Sequence, residues 1–140
     1  MRTHSLAIMF CMLLLTTCGS PSKPKNNPSA SANSSGEANL EYLEDFFDFG
    51  TITQGEVVTH TFHFKNSGNA PLVVKDVIPS CGCTTSKLSS SILKPGEEGT
   101  IEVIFNSQGW AGLQYKSVTL RTNSSIMDKS VTIRANVVMP

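Results

Sequence analysis

The sequence predicts an all-β domain over residues 41–140, built as a two-sheet sandwich of about seven short strands. Three observations carry that reading. Apolar and polar residues alternate with period two over several segments, as they do when a strand turns one face to a core and the other to water. Clusters of Gly, Pro, Asn and Ser separate these segments at short intervals. No stretch of ten or more residues carries an apolar stripe at helical spacing.

The elements follow in order. Phe46 to Phe49 forms an early strand. Val57 to Phe64 alternates, with Val58, Phe62 and Phe64 on one face and Thr59, Thr61 and His63 on the other. Asn66-Ser67-Gly68-Asn69 reads as a turn, and Pro71 precedes the strand Leu72-Val73-Val74. Ile78-Pro79-Ser80-Cys81-Gly82-Cys83-Thr84-Thr85 reads as a polar loop after that strand. Lys94-Pro95-Gly96-Glu97 has the chemistry of a type II turn, because glycine at the third position accepts positive φ without a clash. Ile101, Val103 and Phe105 then share a face. Val118 and Leu120 alternate with Thr119 and Arg121, and Val131 and Ile133 alternate with Thr132 and Arg134. Thr122-Asn123-Ser124-Ser125 separates these last two strands. About 100 residues bury an adequate core without a covalent staple, and the chain has no internal repeat.

The first forty residues read differently. A basic start at Arg2 leads into an unbroken apolar run from Leu6 to Leu15. Ten apolar residues are half of the roughly 20 that a spanning helix needs, but they suit a signal-peptide core. The run ends in Leu15-Thr16-Thr17-Cys18-Gly19, which resembles the lipobox of bacterial lipoproteins, although Thr17 replaces the usual Gly, Ala or Ser. The expected organisation is a signal peptide over 1–17, lipidation of Cys18, and a flexible tether over 18–40. Several acyl chains on one cysteine anchor stably where a single chain would not. From Gly19 to Asn39 the composition is dominated by Ser, Pro, Asn, Lys and Ala, too apolar-poor to offset the entropy of ordering. Such a tether spans roughly 25 Å on average and reaches about 70 Å at most. No acidic cluster follows Cys18, which favours a lipid-anchored, periplasm-facing position in the cell envelope.

Charge excludes one class of partner. The whole chain carries 11 basic and 11 acidic residues, and the segment from Glu41 onward is slightly acidic. Nucleic-acid binding rests on a basic face that neutralises phosphates, so no nucleic-acid partner is expected. Enzyme signatures are also missing: the sequence has no Gly-x-Ser-x-Gly elbow, no phosphate-binding glycine loop and no carboxylate pair marked out by spacing. Asp48 in its strand motif reads as a hydrogen-bond acceptor for nearby backbone. Trp110, between Gly109 and Ala111-Gly112, reads as packing at the core edge.

Several motifs fall in one order: Phe47-Asp48-Phe49-Gly50, Gly55, Phe62-x-Phe64-x-Asn66-x-Gly68, Pro71-Leu72, Ser80-Cys81-Gly82-Cys83-Thr84, Pro95-Gly96-Glu97, Gly112 and Thr122-Asn123. In this order they resemble a bacterial family of unknown function, small exported immunoglobulin-like domains with a Cys-Gly-Cys-Thr motif. That family is similar in turn to the ASPM/SPD-2/Hydin and major-sperm-protein groups. The resemblance covers roughly Phe46 to Val138. It implies an immunoglobulin-like β-sandwich in an exported setting, and it implies no activity.

Cysteine arithmetic narrows the chemistry. Of four cysteines, Cys11 leaves with the signal peptide and Cys18 is acylated, so Cys81 and Cys83 remain in a compartment where disulfides form. Gly82 frees the backbone between them, and Thr84 completes the motif. As a staple the pair is weak: closing a three-residue loop removes only about 1.6 kcal/mol of unfolded-state free energy, against about 3 kcal/mol for fifteen residues. Three roles stay open. The pair shapes the loop, or it exchanges with other thiols as a tight, exposed disulfide does, or it binds metal. No Lys, Arg or His lies within three residues to lower a thiol pKa. Two thiolates suit Cu(I) better than Zn, which wants four ligands and would need a dimer. His60 and His63 face opposite sides of their strand and do not complete a site together. The functional expectation is a membrane-tethered, non-enzymatic interaction or structural module working with envelope proteins. The alternative is a thiol-disulfide or copper-handling accessory using Cys81 and Cys83.

Overall fold

The computed structural model describes residues 36–140. The signal peptide expected at 1–17, the lipidation site Cys18 and the tether as far as residue 35 lie outside the described residues. The described residues form nine strands where the sequence suggests about seven, and no helix. They are β1 (Leu40–Tyr42), β2 (Phe46–Thr53), β3 (Val57–Asn66), β4 (Leu72–Pro79), β5 (Thr84–Leu88), β6 (Ile92–Leu93), β7 (Glu98–Asn106), β8 (Gly112–Thr122) and β9 (Asp128–Val138).

Two sheets enclose the core. One has the order β1-β3-β7-β5 and the other β2-β9-β8-β4-β6. All pairs are antiparallel except β2 with β9, which is parallel and broken by a register shift between Asp48 and Thr51. The alternation works as expected. Phe62 and Phe64 of β3 and Ile101, Val103 and Phe105 of β7 turn inward onto Val118 and Leu120 of β8 and Val131 and Ile133 of β9, all at most 1% exposed. Burying one such side chain stabilises by about 1.5–3 kcal/mol, so this double layer dominates the fold.

Hydrogen-bond registers define two ends. The near end collects residues 36–40 and the turns after β3, β6 and β8. The far end collects the turns after β2, β4 and β7. At the near end the structure corrects two sequence expectations. The ordered domain begins before residue 41, since Ala38 and Leu40, assigned to the tether by composition, are buried in the core. Asn66 is no surface turn residue: it ends β3 fully buried. Its Nδ2 donates to the carbonyls of Ala70 (2.8 Å) and Leu93 (3.1 Å). Its Oδ1 accepts from the amides of Gly68 (3.0 Å) and Asn39 (3.3 Å). Gly68 is required by a close approach, not by φ, because a Cβ there would lie 2.2 Å from the Glu37 carbonyl oxygen and 2.6 Å from the Asn39 amide. The Pro95-Gly96 turn behaves as expected: Gly96 has φ +78°, and the Glu97 amide donates to the Lys94 carbonyl at 3.0 Å.

Candidate functional site

The Cys-Gly-Cys motif lies at the far end, where the chain crosses from one sheet to the other. β4 continues through Pro79 and β5 starts at Thr84, so the loop is only Ser80–Cys83, shorter than the polar stretch suggests. Both flanks of this loop are tied to neighbouring strands. The Ser80 amide donates to the Ser117 carbonyl at 2.8 Å, and the Ser117 amide donates to Ser80 Oγ at 3.0 Å. The Asn106 amide donates to the Cys83 carbonyl at 3.1 Å, and the Thr84 amide closes the turn onto the Cys81 carbonyl at 3.2 Å.

Cys81 and Cys83 are joined as a disulfide, with Cα atoms 5.3 Å apart, inside the usual range for such a bond. Both residues are partly exposed. Gly82 does not serve the backbone as the sequence suggests. It has no left-handed φ, and a Cβ there would meet nothing within 4 Å. Its effect is to leave open space beside the disulfide. Thr84 is buried, and its Oγ1 lies 3.4 Å from Cys81 Sγ and 3.9 Å from Cys83 Sγ.

Cys83 and Gly82 border an open groove of about 500 Å³ on the outer face of the four-stranded sheet. Val57, Thr85 and Ile104 line it from the adjacent strands β3, β5 and β7, and Asn106 and Gln108 complete it. The lining holds no charged side chain. Val57 leaves 60% of its surface exposed there. Strand β5, which carries Thr84 and Thr85, is the edge of its sheet.

Beside the loop stands a second feature, missed in the sequence. Lys116 occupies an inward position of β8 and is 8% exposed. Its Nζ lies 3.4 Å from the centre of the Trp110 ring and 5.7 Å from that of Phe105. Burial pushes the Lys116 pKa down, while the two rings favour the charged form. Trp110 therefore packs at the core edge, as expected, and caps a buried cation as well. The signal was present: Lys116 shares its strand parity with Val118 and Leu120, so a charge falls where alternation demands an apolar residue.

The other sequence candidates are engaged elsewhere. Asp48 Oδ1 accepts from the Gly50 amide at 2.9 Å, as its motif suggests, and Oδ2 lies 3.4 Å from Arg134 Nη1. His60 stacks on Phe47 with ring centres 3.6 Å apart and pairs with Glu44, whereas His63 is exposed. Neither histidine belongs to the cysteine loop. Among the described residues no group of three or more His, Cys, Asp or Glu side chains converges. Opening of the disulfide would therefore offer a Cu(I) or Zn ion two thiolates from this domain.

Comparison with solved structures shows the fold alone, since all identities are low. A Porphyromonas gingivalis W83 protein of unknown function is similar, with 19% identity and a TM-score of 0.64 over 79% of this chain. This chain spans only 51% of that protein's length. A human CEP192 ASH/PapD-like domain is 11% identical, with a TM-score of 0.53 over 89% of this chain and 97% of the domain. The secreted serine protease VesC of Vibrio cholerae is 16% identical (TM-score 0.55), but the match covers 70% of this chain and only 23% of the protease. No curated protein sequence matches the chain. A family model, "Protein of unknown function (DUF1573)", matches residues 40–137, which span eight of the nine strands in full and all but the last residue of β9. The chain belongs to the DUF1573 family.

Proposed function

We propose that this protein is a lipid-anchored, non-enzymatic interaction module of the cell envelope, and that it meets envelope proteins through the far end of its sandwich. The observation that carries this reading is polarity. The chain enters the domain at residues 36–40 on one end, and the Cys-Gly-Cys loop and its neutral groove lie at the other. An anchor at Cys18 would therefore attach through the end opposite the groove and leave the groove free, on a tether long enough to let the domain sample neighbouring surfaces. Loops held by a rigid sandwich suit such binding. In cells given labelled palmitate, the wild-type chain is expected to take up label and sediment with membranes. Cys18→Ala should abolish both. An unlabelled, soluble wild-type protein would overturn the anchoring part of the proposal. The binding part is tested by Ile104→Lys, which puts a charge into the groove and should abolish partner capture while leaving the fold intact.

A second reading is thiol–disulfide exchange at Cys81 and Cys83. It is favoured by the position of the bonded pair, partly exposed on the border of that groove.

A further inference from the structure

We infer that the disulfide is an exchange site for a dithiol carried on an uncharged, extended segment of a partner protein, with Cys83 Sγ the atom attacked and Cys81 the leaving thiolate. The inference rests on the exchange reading above and adds the partner class and the direction. Four observations carry it. Cys83, and not Cys81, borders the groove. Gly82 places no side chain in the approach. The buried Thr84 hydroxyl lies closer to Cys81 Sγ (3.4 Å) than to Cys83 Sγ (3.9 Å). A hydroxyl donating to a thiolate lowers its pKa, and the lower-pKa thiol leaves faster. Finally, the lining is apolar and amide-bearing, with no cation to receive the carboxylates of glutathione. Asn106 and Gln108 offer hydrogen bonds to a peptide backbone instead.

The steps balance. A partner thiolate attacks Cys83 Sγ, the Cys81–Cys83 bond breaks, and its electron pair stays on Cys81 Sγ, which accepts from Thr84. The partner's second thiolate then attacks the partner sulfur of the mixed disulfide, and the electron pair leaves on Cys83. The partner dithiol loses two electrons and two protons, and the Cys81/Cys83 pair gains them.

The test uses the folded exported domain and two probes, glutathione and a capped, uncharged peptide with a single cysteine. After an acid quench, N-ethylmaleimide labelling and digestion, mass spectrometry should place the peptide on Cys83 and the maleimide on Cys81. The peptide-to-glutathione rate ratio should be about tenfold higher than for a free Cys-Gly-Cys disulfide peptide. Thr84→Val should slow opening by both probes several-fold. Gly82→Leu should slow the peptide about tenfold with the fold unchanged. Adducts on Cys81, or an even split, would overturn the direction while leaving exchange intact. A peptide-to-glutathione ratio no higher than that of the free peptide would overturn the partner class. A disulfide that neither probe opens would overturn the exchange reading itself.

Discussion

The two ends of the sandwich are built on opposite rules. At the near end every polar group of Asn66 has a partner, Gly68 lets the incoming strand pass at contact distance, and Leu40, Leu72 and Leu93 are fully buried. At the far end a two-residue-spaced disulfide and an exposed valine border an open groove. The near end uses polar residues to fix where the chain enters. The far end leaves the disulfide partly exposed and Val57 largely exposed. On the function proposed above, the difference separates residues needed for folding from residues available for recognition.

Substitutions should reproduce that division. The largest effect is expected at Asn66. Asn66→Leu strands the buried Leu93 carbonyl and the part-buried Ala70 carbonyl and Asn39 amide, at about 1–3 kcal/mol for a buried group left without a partner and less for the others. A net loss of about 3 kcal/mol in denaturant unfolding is expected, and a loss below about 1 kcal/mol would break the contrast. Gly68→Ala drives a methyl into the Glu37 carbonyl and should cost about 2 kcal/mol, with hydrogen exchange accelerating at residues 37–42. At the far end the effects shrink. The double variant Cys81→Ser/Cys83→Ser removes a loop closure worth about 1.6 kcal/mol at most, so its unfolding midpoint should move less than that of Gly68→Ala. Trp110→Leu removes the ring above Lys116 and should cost about 1 kcal/mol.

The smallest effect sharpens the comparison through its pH dependence. Burial lowers the Lys116 pKa in the folded state, so the unfolded chain holds that proton more tightly. Stability should therefore rise with pH between the lowered value and the ordinary lysine value. Lys116→Met should remove that rise and change stability near neutrality by less than about 1 kcal/mol, because loss of the ring contact offsets relief of the burial penalty.

Much of this was legible in the sequence, and the gaps have physical causes. Strands β3, β7, β8 and β9 are long and alternate over most of their length, so the faces of those stretches could be assigned residue by residue. Strand β5 reads Thr-Thr-Ser-Lys-Leu, and its inward Thr84 and Ser86 give no apolar signal. Strands β1 and β6 have three and two residues, too few for a period to show. The parallel pairing of β2 with β9 depends on where the chain crosses between sheets, which alternation does not encode. Asn66 looked like a turn residue because asparagine favours turns, and only the tertiary structure brings the Asn39 amide and the Leu93 carbonyl to it. At the candidate site, elimination left Cys81 and Cys83 as each other's only partner within the chain, with loop-shaping, exchange and metal binding all open, and the position of Thr84 and the groove required β3, β5 and β7 to be assembled. The anomaly at Lys116 was visible by parity, whereas its partner Trp110, in a Gly-flanked loop, was not.

The division of labour between the two ends is tested most directly by site-specific photo-crosslinking in intact cells, with the full-length chain carrying the photoreactive residue at Gln108 or at Asn69. Discrete adducts with an envelope protein are expected from Gln108, lost when Ile104→Lys is added, with only background from Asn69. The same adducts from Asn69 and none from Gln108 would contradict the assignment of recognition to the Cys-Gly-Cys end.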